Sequence, residues 1–277
     1  MTNTSGQPAG GDAEKQRARE QWTHNPAGAV YGGAHEFGSR EFFDEVERHR
    51  YKEYAPWMPA VMGFHDFAGK RLLEVGCGMG TDLLQFACGG AQVTGVDLTP
   101  RSVETSRHHL KLYSQTGDFA LTDAEKLPFA DGSFDVVYSN GVLHHTPDTA
   151  GAVREIHRLL RPGGLARVML YHRHSWNYWF EIILHRGLLR GHLLCGHTAE
   201  DIMSRYIEVN EGAGRPLVKV YSRRQARELF SMFSEVQTEV RQLTKGDFYF
   251  FGRLIPQRIV ESFGRRIGWN VIISARK

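Results

Sequence analysis

The chain has 277 residues, of which 41% are hydrophobic and 23% charged, close to the usage of ordinary globular proteins. This composition excludes a wholly disordered, collagen-like or coiled-coil chain, and the length predicts one or two domains. Residues 1–150 have a net charge of −7 and residues 151–277 a net charge of +10. The basic half predicts either a solvated surface or an anionic partner such as RNA.

Cysteine usage and the longest apolar stretch bear on the compartment. Cys77, Cys88 and Cys195 are too few for a disulfide framework and form no CxxC pair, which favours a reducing cytoplasm. The first twenty residues contain no apolar segment typical of a signal peptide. Residues 176–189 are too short and too charged to span a bilayer. We therefore expect a cytoplasmic protein without a transmembrane segment.

The N-terminal quarter divides into two parts. Residues 1–20 are rich in Gly, Ala, Gln and charge without an apolar period, which predicts a disordered tail. Residues 21–69 are interpreted as an N-terminal helical cap, because aromatic and apolar side chains return from Phe42 to Met62 with prolines as breaks. This cap is predicted to cover a part of the chain that follows.

Strands and helices alternate from residue 70 to residue 171. Apolar strands are predicted at residues 71–75, 92–96, 119–121, 134–139 and 165–170. Helices are predicted at residues 81–88, from Pro100, and around residues 153–160, where apolar residues recur at spacings of three and four. Strands separated by helices imply parallel pairing with right-handed crossovers. We therefore predict an α/β fold with a doubly wound, Rossmann-like sheet that is covered on both faces.

The remaining chain is predicted to complete this sheet after an insertion. Residues 172–222 are too long for a structureless loop in a compact domain, which predicts a folded, helical insertion. In residues 223–277 a helix precedes two alternating stretches, 235–241 and 268–275. Without a clear crossover helix between them, these stretches predict an antiparallel hairpin at the sheet edge.

Polar residues and glycines follow the predicted strands at positions suited to a nucleotide-like ligand. The first strand ends in Glu74-Val-Gly76-Cys77-Gly78-Met-Gly80 and opens a helix, whose free N–H groups suit an anionic group. Asp97 ends the second strand, where a carboxylate can accept ribose hydroxyls or cap the next helix. After the third strand, Asp123 and the amide of Ala124 suit an adenine edge, or form an ordinary polar turn.

Together these motifs resemble the class I S-adenosylmethionine-dependent methyltransferases, in particular the group that includes the quinone C-methylases. The matching pieces are LLEVGCGMGTD, VTGVDLTP, TDAEKLPFADGSFDVVYSNGVLHHTPD and EIHRLLRPGGLARV, over residues 70–170. The resemblance implies a seven-stranded sheet with an antiparallel last strand and S-adenosylmethionine as cofactor. It also implies a set of cofactor-binding residues: Glu74, Gly76, Cys77, Gly78, Gly80, Asp97, Leu98, Asp123, Ala124 and Asn140.

Histidines near the strand ends are the candidates for a general base. Methyl transfer needs a base only if the acceptor loses a proton, and His is the best-placed side chain for this at neutral pH. His145 and His172 are the candidate catalytic residues, each with a hydrogen-bonded structural role as the alternative. His192, Cys195 and His197 match no strong zinc signature, so no metal site is predicted.

The predicted function is methyl transfer to a small-molecule acceptor at an oxygen, nitrogen or carbon atom. The alternatives are a methyltransferase acting on RNA or another macromolecule, and a cofactor-binding protein that transfers no methyl group. The loop Ser139-Asn140-Gly141 lacks the Asn/Asp-Pro-Pro-aromatic motif of methyltransferases that act on DNA bases, so no DNA partner is expected.

The insertion is predicted to form the lid of the acceptor pocket, with the helices around residues 42–62 as a second wall. Its aromatic and aliphatic first half predicts a lipophilic acceptor, and Arg173, Arg186 and Arg190 predict an anionic group on it. A homodimer interface and plain additional core are the alternatives for this segment.

Overall fold

A seven-stranded sheet forms the centre of the computed structural model, which describes residues 10–207 and 216–277. The strands are β1 (Arg71–Val75), β2 (Gln92–Asp97), β3 (Asp118–Leu121), β4 (Phe134–Asn140), β5 (Leu160–Tyr171), β6 (Glu235–Arg241) and β7 (Asn270–Arg276). Their order is β3-β2-β1-β4-β5-β7-β6. The first five pair in parallel and β7 is antiparallel to β5 and β6. The predicted fold class is therefore confirmed.

Helices connect the strands and extend the domain at its N-terminus. The α-helices of the described residues are α1 (Gly10–His24), α2 (Arg40–Arg48), α3 (Met58–Met62), α4 (Thr81–Cys88), α5 (Pro100–Leu112), α6 (Thr149–Leu159), α7 (Ala199–Tyr206), α8 (Arg223–Leu229) and α9 (Gln257–Ile267). A π-helical turn, His49–Tyr54, extends α2, and short 3₁₀ turns lie at Ala29–Gly32 and Leu143–His145. A second π-helix, Asn177–Leu189, follows β5, and a 3₁₀ segment, Lys245–Leu254, follows β6.

Alternation along the strands divides the core between the two faces of the sheet. In β1, Leu72 and Leu73 are both fully buried and point to opposite faces. Leu72 packs with α3, α4 and α5 residues, whereas Leu73 packs with α6 and the end of α8. The cap of residues 40–62 therefore lies on the same face as α4 and α5.

The N-terminal segment differs from the sequence prediction, because α1 occupies residues that were expected to be a disordered tail. Among residues 11–24 of this helix only Ala18 and Gln21 are buried, so it has no apolar stripe that a sequence pattern could reveal. Polar contacts hold it instead. Lys15 forms salt bridges with Asp123 and Glu125. The prediction was therefore wrong for residues 10–20, and residues 1–9 lie outside the described part of the chain.

The connection from β6 to β7 is longer than a hairpin turn. The two strands pair antiparallel, as predicted, but the 3₁₀ segment Lys245–Leu254 and α9 lie between them. In addition, β5 begins at Leu160, which pairs with Phe134, rather than at residue 165. The backbone after α6 turns directly into the strand, so the Pro-Gly-Gly sequence lies within β5.

The insertion is helical over its described residues and has a small core of its own. The π-helix Asn177–Leu189 packs against α7 through Tyr178, Ile182, Ile202 and Met203. Trp269, just before β7, joins this core and ties the insertion to the sheet. Residues 208–215 of the insertion lie outside the described part. Within residues 10–207 and 216–277, no helix is long and apolar enough to cross a membrane.

Candidate active site

The carboxyl ends of the central strands border one cavity of ≈ 280 Å³. It lies where the strand order reverses between β1 and β4, the position at which open α/β sheets bind ligands. Most of the site residues predicted from the sequence line this cavity: Glu74, Gly76, Cys77, Gly78, Asp97, Leu98, Asp123, Ala124, Asn140 and His145. Gly80 and His172 do not.

The three glycines of the first loop have different roles, although all have positive φ angles. A Cβ at Gly76 would lie 2.2 Å from Val142 Cγ2, and one at Gly80 would lie 2.6 Å from Ser106 Oγ. A Cβ at Gly78 would meet no protein atom within 4 Å. Gly76 and Gly80 are therefore required by packing, whereas Gly78 leaves space that a bound ligand can occupy.

Glu74 presents a buried carboxyl group to the cavity. Glu74 is 3% exposed, and its Oε2 atom has no hydrogen-bond partner in the described structure. Burial, and then the nearby charge of Asp82, raise the pKa of Glu74 well above its usual value. A cation or an N–H donor in the cavity would satisfy this group, which fits the ammonium of an amino-acid ligand.

Asp82 organises the wall beside Glu74. Arg50 donates two hydrogen bonds of 2.7 Å to its carboxylate, and the hydroxyls of Tyr51 and Tyr138 donate to it as well. Burial alone would raise the pKa of Asp82, but the charge of Arg50 and these hydrogen bonds lower it below its usual value. Asn140 Nδ2 also donates to this carboxylate, at 3.2 Å. The network ties the N-terminal cap to the sheet and leaves Arg50 at the cavity wall.

Asp97 supports the glycine loop as well as facing the cavity. Its Oδ2 accepts from Gly78 N at 3.0 Å, and its Oδ1 accepts from Thr99 N and Thr99 Oγ1. Burial raises the pKa of Asp97 in spite of these hydrogen bonds. Because a carboxylate has about four acceptor positions, three are in use and a ligand hydroxyl can take the fourth.

Helix α1 forms the roof of the cavity. Lys15, Ala18 and Trp22 line it from above. The Lys15 ammonium lies 2.6 Å from Asp123 Oδ2, and Asp123 Oδ1 accepts from Glu125 N. Arg101 Nη1 donates to the Thr23 carbonyl at 2.8 Å and holds the other end of the helix. The carboxylate predicted to face an adenine ring therefore also anchors the roof.

The other end of the cavity is lined by side chains that the sequence analysis did not select. Tyr54 and Met58 come from the cap, Met169 and Tyr171 from β5, and Asn270 from β7. Asn270 is 4% exposed, and its Oδ1 atom has no hydrogen-bond partner among the described residues. This end is mostly apolar with one buried amide, which suits an organic molecule with a polar group.

The histidines near the strand ends occupy different environments. His145 lines the cavity and its Nδ1 lies 2.7 Å from the Leu217 carbonyl. A carbonyl can only accept, so Nδ1 carries the proton and Nε2 of the neutral ring carries the basic lone pair. His172 instead donates to Gly268 O outside the cavity, and burial lowers the pKa of His172 to about 4. His144 is fully buried against Tyr171, and burial lowers its pKa as well.

No described residue of 172–222 lines the cavity, although the Leu217 carbonyl accepts a hydrogen bond from His145. Among the described residues α1 covers the cavity, although it had no sequence signal beyond Trp22 in a polar segment, and the lid expected from residues 172–222 stays a prediction. Arg186 of the insertion pairs with Glu181 and stacks over Tyr206, away from the cavity. The cap does form a second wall, as expected, through Arg50, Tyr54 and Met58.

Arg50, Asp82 and Asn270 are the functional candidates that sequence reasoning missed. Asp82 stands in the first turn of the helix that follows the glycine loop, and this position could have marked it as a candidate site residue. Arg50 and Asn270 reach the cavity from elements that are distant in the chain, and nothing in their local sequence marks them.

Comparison with known proteins agrees with this geometry. Residues 73–168 match the family described as "Methyltransferase domain". The ubiquinone biosynthesis O-methyltransferase of Thiobacillus denitrificans is 36% identical over 117 residues, which is 42% of this chain and 50% of that protein. The 27-O-demethylrifamycin SV methyltransferase of Amycolatopsis mediterranei is 40% identical over 102 residues, 35% of this chain and 37% of that protein. The chain thus spans about half the length of the first of these relatives.

A solved structure extends the similarity in fold beyond this segment. The structure of a putative methyltransferase from Bacillus halodurans superposes with a TM-score of 0.53 at 17% identity, over 80% of this chain and 99% of that chain. Residues 73–168 therefore match a methyltransferase domain, in agreement with the motifs. The cavity lies at the carboxyl ends of the strands, where the motifs predict S-adenosylmethionine.

Proposed function

We propose that this protein transfers the methyl group of S-adenosylmethionine to a small-molecule acceptor. One observation carries the proposal: a single cavity joins the glycine loop, Asp97 and Asp123 to an apolar chamber at the ends of β5 and β7. The first half suits the cofactor and the second suits an acceptor, so the two would meet inside one space.

The residues of the first half complement the charges of the cofactor. Glu74 offers a carboxyl group to the ammonium of the methionine part, and Arg50 offers a cation to its carboxylate. Asp97 has one acceptor position for a ribose hydroxyl, while Asp123 and Ala124 lie where the adenine is expected. When bound, the cofactor supplies an electrophilic methyl group, so the protein has mainly to orient the acceptor.

The second half is proposed to orient a hydroxyl group of the acceptor. Both relatives are named as enzymes that act at oxygen, which supports this choice. Asn270 would hydrogen-bond the acceptor, and Met58 and Met169 would pack on its apolar part. His145 Nε2 would take the hydroxyl proton, and the hydrogen bond from Nδ1 to Leu217 would keep the ring in the required tautomer.

Enclosure favours a small acceptor over a polymer. Helix α1 covers part of the cavity, and among its described lining residues only Lys15, Arg50 and His145 are basic, which favours a small acceptor over RNA. The three cysteines are free thiols, which supports a reducing compartment, and we include the cytoplasm in the proposal on that ground.

The test is a methyl-transfer assay with methyl-labelled S-adenosylmethionine and a panel of phenols, other alcohols, amines and RNA. We expect label in a small hydroxyl compound together with S-adenosylhomocysteine. The variant His145→Ala should bind the cofactor but transfer little label. Cofactor binding without transfer to any compound would support the non-methylating alternative, and transfer to RNA alone would support the macromolecular one.

A further inference from the structure

Six large apolar side chains are exposed within residues 249–263, which lie between β6 and β7. Phe250 is 74% exposed, Phe251 70% and Leu254 77%, all in the 3₁₀ segment Lys245–Leu254. We name the "aromatic face" as the exposed side chains Tyr249, Phe250, Phe251, Leu254, Ile259 and Phe263. Concentrated apolar exposure of this kind marks an interaction site more often than scattered single residues do.

The segment that bears these side chains is held in place by the insertion. Trp176 Nε1 donates to the Asp247 carbonyl at 2.9 Å, and the Trp176 ring packs on Phe248. The Tyr249 hydroxyl donates to Glu181 Oε2 at 2.6 Å. Phe250 and Phe251 are therefore presented outward by an anchored segment.

Helix α9 continues the same arrangement. Val260 and Gly264 are buried and face the sheet side, where Gly264 approaches Leu243. Ile259 and Phe263, four residues apart, lie together on the outer face. The helix therefore has apolar residues on the face that no described part of the chain covers.

Exposed cations lie in the same stretch of chain as the aromatic face. Residues 245–268 contain two acidic and five basic residues. The basic ones are all exposed, and none forms a salt bridge in the part of the chain that the structure describes: Lys245, Arg253, Arg258, Arg265 and Arg266. One of the two acids, Asp247, accepts hydrogen bonds from the backbone N–H and the hydroxyl of Thr244. The surface thus combines aromatic groups with uncompensated positive charge.

We propose that the aromatic face docks on the surface of an anionic phospholipid bilayer. Aromatic and aliphatic side chains insert at the boundary between headgroups and acyl chains, and the arginines and lysine bind the lipid phosphates. The positive charge of this surface argues against a second copy of this chain as the partner. A twofold interface on this face would bring two sets of five cations together, which is unfavourable.

The face also lies on the edge of the sheet from which the cavity is built. β6 ends at Arg241, which pairs with Asn270, and Asn270 pairs with Tyr171. Asn270 and Tyr171 line the acceptor end of the cavity. Docking would therefore bring that end close to the bilayer, so that a lipophilic acceptor could enter from the lipid. This last step rests on the proposed function, whereas docking itself does not.

Vesicle co-sedimentation without cofactor or acceptor tests the docking. One vesicle preparation is phosphatidylcholine alone, and the other contains equal parts of phosphatidylcholine and phosphatidylglycerol. We expect binding to the anionic vesicles only. Phe250→Ser with Phe251→Ser, and separately Arg253→Glu with Arg258→Glu, should each weaken it by about tenfold or more.

The controls are placed elsewhere: Met232 lies in the turn between α8 and β6, Lys70 precedes β1, and Arg227 lies on α8. Met232→Ser, and Lys70→Glu with Arg227→Glu, change exposed residues away from the face and should bind like the parent chain. Circular dichroism verifies that each variant is folded. Absence of binding to anionic vesicles, or equal binding by the Phe250/Phe251 variant, would overturn the proposal. A dimer in light scattering that this variant dissociates would also overturn it, in favour of a second copy.

Discussion

At the scale of single residues, Gly78 distinguishes ligand space from packing space. Its Cβ would enter the cavity, so Gly78→Ala is expected to weaken S-adenosylmethionine binding by about tenfold or more, which corresponds to ~1.4 kcal/mol. Gly163→Ala is the matched control, because Gly163 also has a positive φ and open space but lies away from the cavity. Titration calorimetry and thermal unfolding measure both effects. Equal affinities in the two variants would show that the loop does not contact the cofactor.

Glu74 links cofactor binding to protons. Its raised pKa means that the carboxyl of the free protein binds a proton more readily than an exposed glutamate does. A bound ammonium would lower that pKa, so binding should release protons over the pH range below the free-state pKa. Calorimetry in buffers with different ionisation enthalpies measures this release, and Glu74→Gln should abolish it. Proton release that persists in the variant would assign it to another group.

His145 is expected to act on the acceptor rather than on the cofactor. His145→Ala should lower kcat by roughly 10²–10⁴ and leave the Kd of S-adenosylmethionine within a few-fold of the parent value. Because the ring also packs against Trp22, His145→Gln serves as a second variant that retains most of the volume. Single-turnover kinetics and equilibrium binding separate the two effects. A variant with normal kcat but weak cofactor binding would instead assign His145 to the cofactor wall.

At the scale of elements, α1 is expected to control access to the cavity, because Lys15, Ala18 and Trp22 line it. Few apolar contacts hold this helix, and elements of this kind open at low free-energy cost. Lys15→Ala removes its salt bridges to Asp123 and Glu125 and should raise the dissociation rate of the cofactor several-fold. Partly exposed pairs contribute up to about 1 kcal/mol, so the effect should shrink in high salt.

Trp22 provides the signal for this experiment, because it lines the cavity and its fluorescence should respond to the cofactor in stopped-flow mixing. Arg19→Ala is the control, since Arg19 is exposed on the same helix. A cofactor dissociation rate that is the same in Lys15→Ala and the parent would mean that α1 is not the gate.

At the scale of the whole molecule, buried histidines connect folding to pH. Burial lowers the pKa of His172 to about 4 from 6.5, so the stability it contributes is present above pH 6.5 and is lost as the pH falls towards 4. The loss at pH 5 is roughly 2 kcal/mol. His172→Gln should flatten the fall in unfolding free energy between pH 7 and pH 5 in urea titrations, with kcat unchanged.

His65→Gln is the control for this pH dependence, because His65 is exposed and should retain the parent slope. A large fall in kcat for His172→Gln at pH 7 would instead restore His172 as a catalytic candidate. The same experiment therefore separates a structural histidine from a functional one.

The sequence by itself determined the fold class and most of the residues that line the glycine-loop end of the cavity. The alternation of apolar strands with helices is visible in short stretches of sequence. Glu74, Asp97 and Asp123 could be recognised in the same way, because each stands at or just after a strand. Because the carboxyl ends of parallel strands lie at one edge of a sheet, these three residues were expected to lie close together there.

Only the tertiary structure decided the roof and the acceptor end. Helix α1 is held by Lys15 and two carboxylates about a hundred residues away, and it has no apolar period that a sequence pattern could show. Asn270 reaches the cavity because β7 returns antiparallel to β5. The insertion looked like a lid from its aromatic content, yet Tyr178 is buried in a separate core with Ile182 and Trp269, and Trp179 is 55% exposed. Composition specifies that apolar groups must be covered, whereas the path of the chain decides what covers them.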